Sequence, residues 1–321
     1  MPTLLDALEA DGELVSGKRR HCREVHGELL ATSAATIDRY LAAAKARGAL
    51  RGVSTTKPGT LLRNSITIRK AGDEVEADPG FFEADTVAHC GPTLKGEFAR
   101  TVNLTDMITG WVFTTAIRNN ARVHIIAALD RAVATIPFPI VGLDFDNGSE
   151  FINHDLVAWA GQRDIFFTRS RPYRKNDQAT IESKNNHLVR RYGFHWRYDT
   201  VEALILLNRL WPLVNDRFNY FTPTKQPTGW ATTATGRRKR VYDGPRTPLQ
   251  RLLEAGVLST GQAEALIAHR AAINPAELAR EIQRLQDQLT GLAKRPTLDL
   301  VAATTKPLPD TSRGIKLRPT A

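Results

Sequence analysis

Between Gly80 and Pro223 short β-rich runs alternate with stretches of helical spacing, and that alternation restricts this part of the chain to a mixed α/β domain. Residues 81–87, 98–104 and 111–117 are rich in β-branched and aromatic side chains and are split by turn residues, so they read as three strands. Over 122–135 the apolar residues Val123, Ile126, Ala127 and Val133 recur at helical spacing, and Pro137 and Pro139 close that helix. A strand over 140–145, a helix over 154–162 and a strand over 165–168 follow. A long helix begins near Ala179, and another covers 201–219. The expectation is a central mixed sheet covered by helices.

The flanks have a different texture. Residues 23–47 read as two short helices around a tight turn. Ser33 is placed to cap the second, on which Ile37, Leu41 and Ala44 form one side while Thr36, Asp38, Arg39 and Lys45 face away. That is the pattern of a helix-turn-helix, whose second helix lies in a DNA major groove with Arg39 and Lys45 available to phosphates. The division expected is a DNA-binding region over 1–60, a linker over 61–79, the α/β core over 80–223, a basic module with helices over 224–295 and a disordered tail over 296–321. In the C-terminal module Leu278, Ile282, Leu285 and Leu289 recur at spacings of 4, 3 and 4, which reads as a helix packed on its own domain, with a short two-stranded coiled-coil seam as the alternative.

Charge suggests the partner. Lys and Arg total 44 against 34 Asp and Glu, a net charge of +10, which points to a polyanion and first of all to nucleic acid. The surplus is concentrated beyond residue 224, where the run Arg237, Arg238, Lys239 and Arg240 stands out. A second basic stripe lies inside the core: Arg163, Arg169, Arg171, Arg174, Lys175, Lys184, Arg190, Arg191 and Arg197 against only Asp164, Asp177 and Glu182. Two cysteines, Cys22 and Cys90, cannot make a disulfide framework, and no apolar run approaches membrane-spanning length. Asp6, Glu9, Asp11 and Glu13 argue against a secretory signal, so a cytoplasmic, nucleoid-associated protein with no membrane contact is expected.

Three carboxylates stand out by position. Asp85 lies within the first β-rich run, Asp146 ends a strand and enters the turn Asn147-Gly148, and Glu182 opens the long helix, with 35 residues between it and Asp146. A carboxylate at a strand end beside Asn-Gly is held on a rigid edge with the backbone turned sharply away, which leaves it able to bind a cation. Oxygen donors of this kind suit Mg²⁺ or Mn²⁺, and two such ions about 3.5–4 Å apart clamp the attacking and leaving oxygens of a phosphoryl transfer. Asp144, two residues earlier and on the same strand face, competes with Asp146 for the second place; the Asn-Gly turn favours Asp146. Gly-rich phosphate loops and a Gly-x-Ser-x-Gly elbow are absent from the sequence. His89 and His124 read as hydrogen-bonded structural histidines and the five tryptophans mostly as core, while Tyr173 is a candidate for stacking on a base.

At Asp146-Asn147-Gly148-Ser149-Glu150-Phe151 and at Lys175-Asn176-Asp177-Gln178-Ala179-Thr180-Ile181-Glu182 the chain resembles the DDE integrase-core family, which comprises insertion-sequence transposases of the IS3 and IS481 kind and their retroviral integrase relatives. The resemblance spans about residues 81–223. It implies an RNase H-like fold and a metal-binding catalytic triad of Asp85, Asp146 and Glu182 holding two Mg²⁺ or Mn²⁺ ions. It also implies nicking at element ends followed by attack of the freed 3′-hydroxyl on target DNA, by a homo-oligomer bound to terminal inverted repeats. Arg174, Lys175, Asn176, Lys184, Arg190 and Arg191 are the expected phosphate contacts of the core, joined by Arg237, Arg238, Lys239 and Arg240. The His-His-Cys-Cys zinc module of retroviral integrases is not matched, since His21, Cys22 and His26 have no second cysteine nearby, and no zinc is expected. The position seven residues after Glu182, a DNA-binding Lys in retroviral enzymes, is Val189 here. A DNA-binding regulator without catalysis and an RNase H-like nuclease without strand joining are the alternative readings.

Overall fold

The computed structural model describes residues 2–15, 17, 21–46, 67–69, 78–145, 154–170, 185–233 and 236–304. Its centre is a six-stranded sheet made of β1 (Thr67–Arg69), β2 (Phe81–Ala88), β3 (Arg100–Asp106), β4 (Val112–Ile117), β5 (Gly142–Phe145) and β6 (Phe166–Ser170), in the order β1-β6-β5-β2-β3-β4. β2, β3 and β4 form an antiparallel meander, while β5 and β6 run parallel to β2. The mixed sheet flanked by helices is thus as the sequence implies. β1 was not foreseen: it falls in the stretch read as linker, is only three residues long and pairs parallel with β6.

One sheet face is apolar. Phe82, Ala84, Val102, Leu104, Leu143 and Phe145 alternate along their strands and are all buried. Helix α4 (Arg122–Thr135) buries Ile125, Ala128, Leu129 and Ala132, and α5 (His154–Gly161) buries Leu156, Trp159 and Ala160. Among the described residues the helical segment α6 is π-type over Asn185–Arg190 and α-helical over Arg191–Gly193. Helix α7 (Val201–Phe221), capped by the Thr200 hydroxyl, is the longest of the core and buries Leu207, Leu210, Trp211, Val214 and Phe218.

The outer strand β4 is sealed by α7 through side chains. Asn219 accepts from Val112 N (2.8 Å) and donates to Val112 O (2.9 Å); Asn208 does the same with Ala116 at 2.9 and 3.0 Å. Between them Asn215 accepts from the Thr114 hydroxyl and donates to its carbonyl. The asparagines are spaced by seven and four residues, so they share one helix face, and three carboxamides take the place of a missing neighbouring strand. Asn219→Ala strands both polar groups of Val112, and chemical denaturation is expected to show a loss of about 1–3 kcal/mol. A change within about 0.5 kcal/mol, the range of an ordinary surface substitution, would deny the ladder any structural weight.

Beyond the core lie α8 (Pro248–Ala255), α9 (Thr260–Ala272) and α10 (Pro275–Thr304). The first two begin with capping boxes, Thr247 with Gln250 and Ser259 with Gln262, and α8 ends at Gly256 in the left-handed region. Leu278, Ile282, Leu285 and Leu289 of α10 are buried in the common core, as a helix packed on its own domain requires, and α10 lies against α7. It runs nine residues past the boundary expected at Arg295, with Pro296 inside it, because Thr297 is buried and accepts from Arg197 N at 3.0 Å. At the other end, α2 (Arg23–Ala31) and α3 (Ala34–Ala46) stand where two short helices were expected, and Ser33 Oγ accepts from Thr36 N. An unforeseen helix, α1 (Pro2–Ala10), precedes them and contacts α10.

Candidate active site

Register partners in a sheet share a face, and successive residues of a strand alternate between faces. Asp85 therefore shares its face with Glu83 on β2, with Asn103 and Thr105 directly across on β3, and with Asp144 and Thr168 on β5 and β6. This is the opposite face from Phe82, Ala84 and Leu143, and it is polar although largely buried: Glu83 is 2% and Asp144 1% exposed. The Asp144 carboxylate accepts from the Thr168 hydroxyl at 2.7 Å, deep between two parallel strands. Asp85 is half-buried, at the more accessible end of the same column.

Both carboxylate oxygens of Asp85 are held. Thr86 N donates to Oδ1 at 2.6 Å and Asn185 Nδ2 donates to Oδ2 at 2.6 Å. Asn185 Oδ1 in turn accepts from Asn103 Nδ2 at 3.1 Å, so a carboxamide relay spans from β3 through α6 to β2 and fixes the plane of the acid. Asn185 lies 100 residues from Asp85 in the chain and was not singled out in the sequence; only the topology brings the two together. Asn103 Oδ1 and Thr105 Oγ1 are buried and have no hydrogen-bond partner among the described residues.

The other two acids expected here, Asp146 and Glu182, lie outside the described residues, as do Arg174, Lys175, Asn176, Lys184 and Tyr173. The β2–β5 register ends at Ala84 opposite Phe145, and Asp85 and Asp146 are the next residue on each side. Glu182 precedes Asn185 by three residues.

Of the basic residues, Arg39 is exposed on α3 with its guanidinium 3.1 Å from Thr36 Oγ1, and Lys45 falls in the last turn of that helix. Arg190 turns partly inward: it donates to Phe194 O, and burial lowers its pKa despite the opposing pull of Cys90 and Asp85. Arg191 is exposed. Two members of the basic stripe are engaged by the protein itself, Arg163 at the surface and Arg197 inside the fold. Arg163 pairs with Asp130 at 2.9 Å and lies over the Trp159 ring, and Arg197 is buried with all its donors satisfied by backbone carbonyls and Asp199. The stripe read from composition is thus narrower than nine cations.

The histidines divide. His89 is fully buried and hydrogen-bonded to Thr101 Oγ1 at 2.8 Å, as a structural histidine should be, and burial holds its pKa well below the usual range. His21 Nε2 and His26 Nδ1 approach Glu9 Oε1 at 3.2 and 2.7 Å, so the cluster contains a carboxylate from α1 instead of a second cysteine. It ties α1 to α2, and the hydrogen bond from His21, joined by that from His26, lowers the Glu9 carboxyl. The tryptophans are mostly core, as expected: Trp111, Trp159, Trp196 and Trp211 are buried, and Trp230 is the exception at 56% exposed.

Comparison with known proteins adds the following. Residues 76–175 match the family profile described as "Integrase core domain". A protein of Sinorhizobium fredii, "Uncharacterized protein y4rM", is 40% identical over 226 residues, which is 70% of this chain; the chain spans 63% of that relative's length. The catalytic core domain of BIV integrase, a crystal structure, aligns at 16% identity with a TM-score of 0.35, over 55% of this chain and 95% of that one.

Proposed function

We propose, from the match of residues 76–175 to the integrase core domain profile, that the chain is a DNA transposase of the DDE transposase and integrase family, which nicks element ends and joins the freed 3′-hydroxyl to target DNA. Asp85, Asp146 and Glu182 would hold two Mg²⁺ or Mn²⁺ ions. The observation that carries the reading is the bond from Asn185 to Asp85. It anchors the segment that follows Glu182 on the strand that bears Asp85, while the end of β5 pairs beside that strand one residue before Asp146. On this reading Asp146 and Glu182 would join Asp85 at one end of the strand bed.

Asp85, the one of the three acids among the described residues, fits such ions. Asp85 offers hard oxygens in a plane fixed by Thr86 and Asn185, on a face of buried carboxylates and carboxamides where Asn103 Oδ1 has no partner among the described residues. When bound, the ions neutralise charge on the scissile phosphate and activate the attacking oxygen. The chain's own residues do the rest. Asp85 keeps its orientation through the Asn185–Asn103 relay, and the apolar layer under β2 and β5 keeps the strand bed rigid. Lys175, Asn176, Lys184, Arg174, Arg190 and Arg191 would contact phosphates of the reacting strands. Arg39 and Lys45 on α3 would bind the inverted repeats, and Arg237, Arg238, Lys239 and Arg240 would bind duplex further out. A homo-oligomer on DNA in the bacterial nucleoid completes the proposal.

The test is a Mg²⁺-dependent assay on duplex carrying the imperfect inverted repeats that flank the gene. Nicked ends and new strand junctions are expected. Cleavage without junctions would replace the transposase by a nuclease of the same fold, and binding without either product would leave a DNA-binding regulator.

A further inference from the structure

Resting on that reading of the chain as a DNA-acting protein, we infer that the hairpin of β7 (Pro227–Thr232) and β8 (Arg238–Tyr242) is a preformed arm that inserts into a groove of duplex DNA, with Trp230 as its central contact. Every residue of both strands is exposed. A bare two-stranded ribbon is marginal in water, and this one is held by its root. Gln226 N donates to Asp243 Oδ1 and Asp243 N to Gln226 O, Gln226 Nε2 reaches Ile108 O at 2.9 Å in the β3–β4 turn, and buried Arg251 pairs with Asp243 and donates to Thr224 O. The arm is therefore fixed to the core, not tethered by a loose linker.

Its faces are chemically built for a polyanion. Trp230 stands across from Arg240, with Arg238 two residues on and on the same face, and the two guanidiniums lie 5.3 and 5.0 Å from the indole centroid. Tyr242, 51% exposed, continues this face. Lys239 projects from the opposite face and Arg237 lies where the turn enters β8. From Lys225 to Tyr242 the sequence contains no Asp or Glu, and among the described residues Arg237, Arg238, Lys239 and Arg240 enter no ion pair. Cations on both faces of a ribbon match the two phosphate walls of a groove, which is wide enough for two strands, whereas a platform for stacked bases would need charge on one face only. The root is at the Phe81 end of β2, since Met107 N bonds Phe81 O beside Ile108, and so away from Asp85. The arm grips duplex outside the reaction centre.

Because Trp111, Trp159, Trp196 and Trp211 are all 7% exposed or less, iodide or acrylamide quenching of the intact protein's fluorescence reports on Trp230. Addition of a 30-base-pair duplex of arbitrary sequence is expected to remove the quencher-accessible fraction. Trp230→Ala should weaken binding of that duplex about 10-fold and Trp230→Tyr less, and Arg238→Gln with Arg240→Gln should lower the salt slope of binding by about two, one phosphate contact each. Circular dichroism confirms that these surface variants stay folded. Unchanged quenching on a duplex that does bind would overturn the arm while leaving the transposase reading standing, and preference for single-stranded DNA would overturn the groove geometry. Junction formation by the Trp230→Ala protein at saturating DNA reports on the transposase reading separately.

Discussion

Asp85→Asn is expected to abolish nicking and joining while leaving duplex binding within about twofold. The substitution keeps the shape of the side chain, and Thr86 N still finds an oxygen to bond. It removes a negative charge from the position where two divalent ions are proposed, and it places an amide where Asn185 Nδ2 donates, so two donors face each other and the relay to Asn103 must turn over. Loss of about 4 kcal/mol of transition-state stabilisation corresponds to roughly 10³-fold in rate. Asp146→Asn should behave alike. Asn185→Ala separates positioning from ligation: the carboxylate and its charge remain, but one orienting bond is gone. A loss of one to two orders of magnitude, accompanied by a higher Mg²⁺ requirement, is expected for the range that outer-shell partners of metal ligands span. Junctions formed by Asp85→Asn at the wild-type rate would remove Asp85 from the chemistry.

Arg197→Ala is expected to cost about 3–5 kcal/mol of folding stability, the cost of breaking a buried charged network. The Arg197 guanidinium donates to the carbonyls of Cys90, Thr93, Lys95 and Glu97 and to Asp199 Oδ2, and it lies over the Phe98 ring. Four carbonyls of the β2–β3 connection thus converge on one side chain that is 8% exposed, and truncation leaves them without donors. Gly91 belongs to the same arrangement: its φ is +60°, and an added Cβ would stand 2.9 Å from Arg197 Cβ, so only glycine lets the loop pass. Arg197→Lys retains the charge but not the planar five-donor fork, and it should recover less than half of the loss. Urea denaturation of the three proteins measures this, and a cost below about 1 kcal/mol for Ala would mean that the loop is held by other means.

Much of the core was legible because its strands repeat apolar residues strongly enough to override neighbours. Asp85 was visible for the same reason, as a carboxylate interrupting such a run. What escaped notice is of two kinds. β1 has three residues, too few for a period to emerge, and α1 was passed over because its four acids Asp6, Glu9, Asp11 and Glu13, in and just after the helix, were weighed only against a secretory signal. Asn185, the Asn208–Asn215–Asn219 ladder and Arg197 act through partners about 80 to 107 residues away, and their roles are set by topology alone. Arg197 was counted in the basic stripe because composition does not distinguish a guanidinium that faces solvent from one that closes a loop. Trp230 was not told apart from the core tryptophans, although the surrounding Gly, Thr and Pro, which give its strand nothing to bury, mark it as different.

The carboxamide ladder along β4 has a consequence for assembly. A sheet whose outer hydrogen-bonding row is already taken by its own helix offers no template for a guest strand, whether from a second subunit, a peptide inhibitor or a misfolded neighbour. The homo-oligomer proposed above would therefore have to form through surfaces other than that margin, and strand addition is disfavoured on that side.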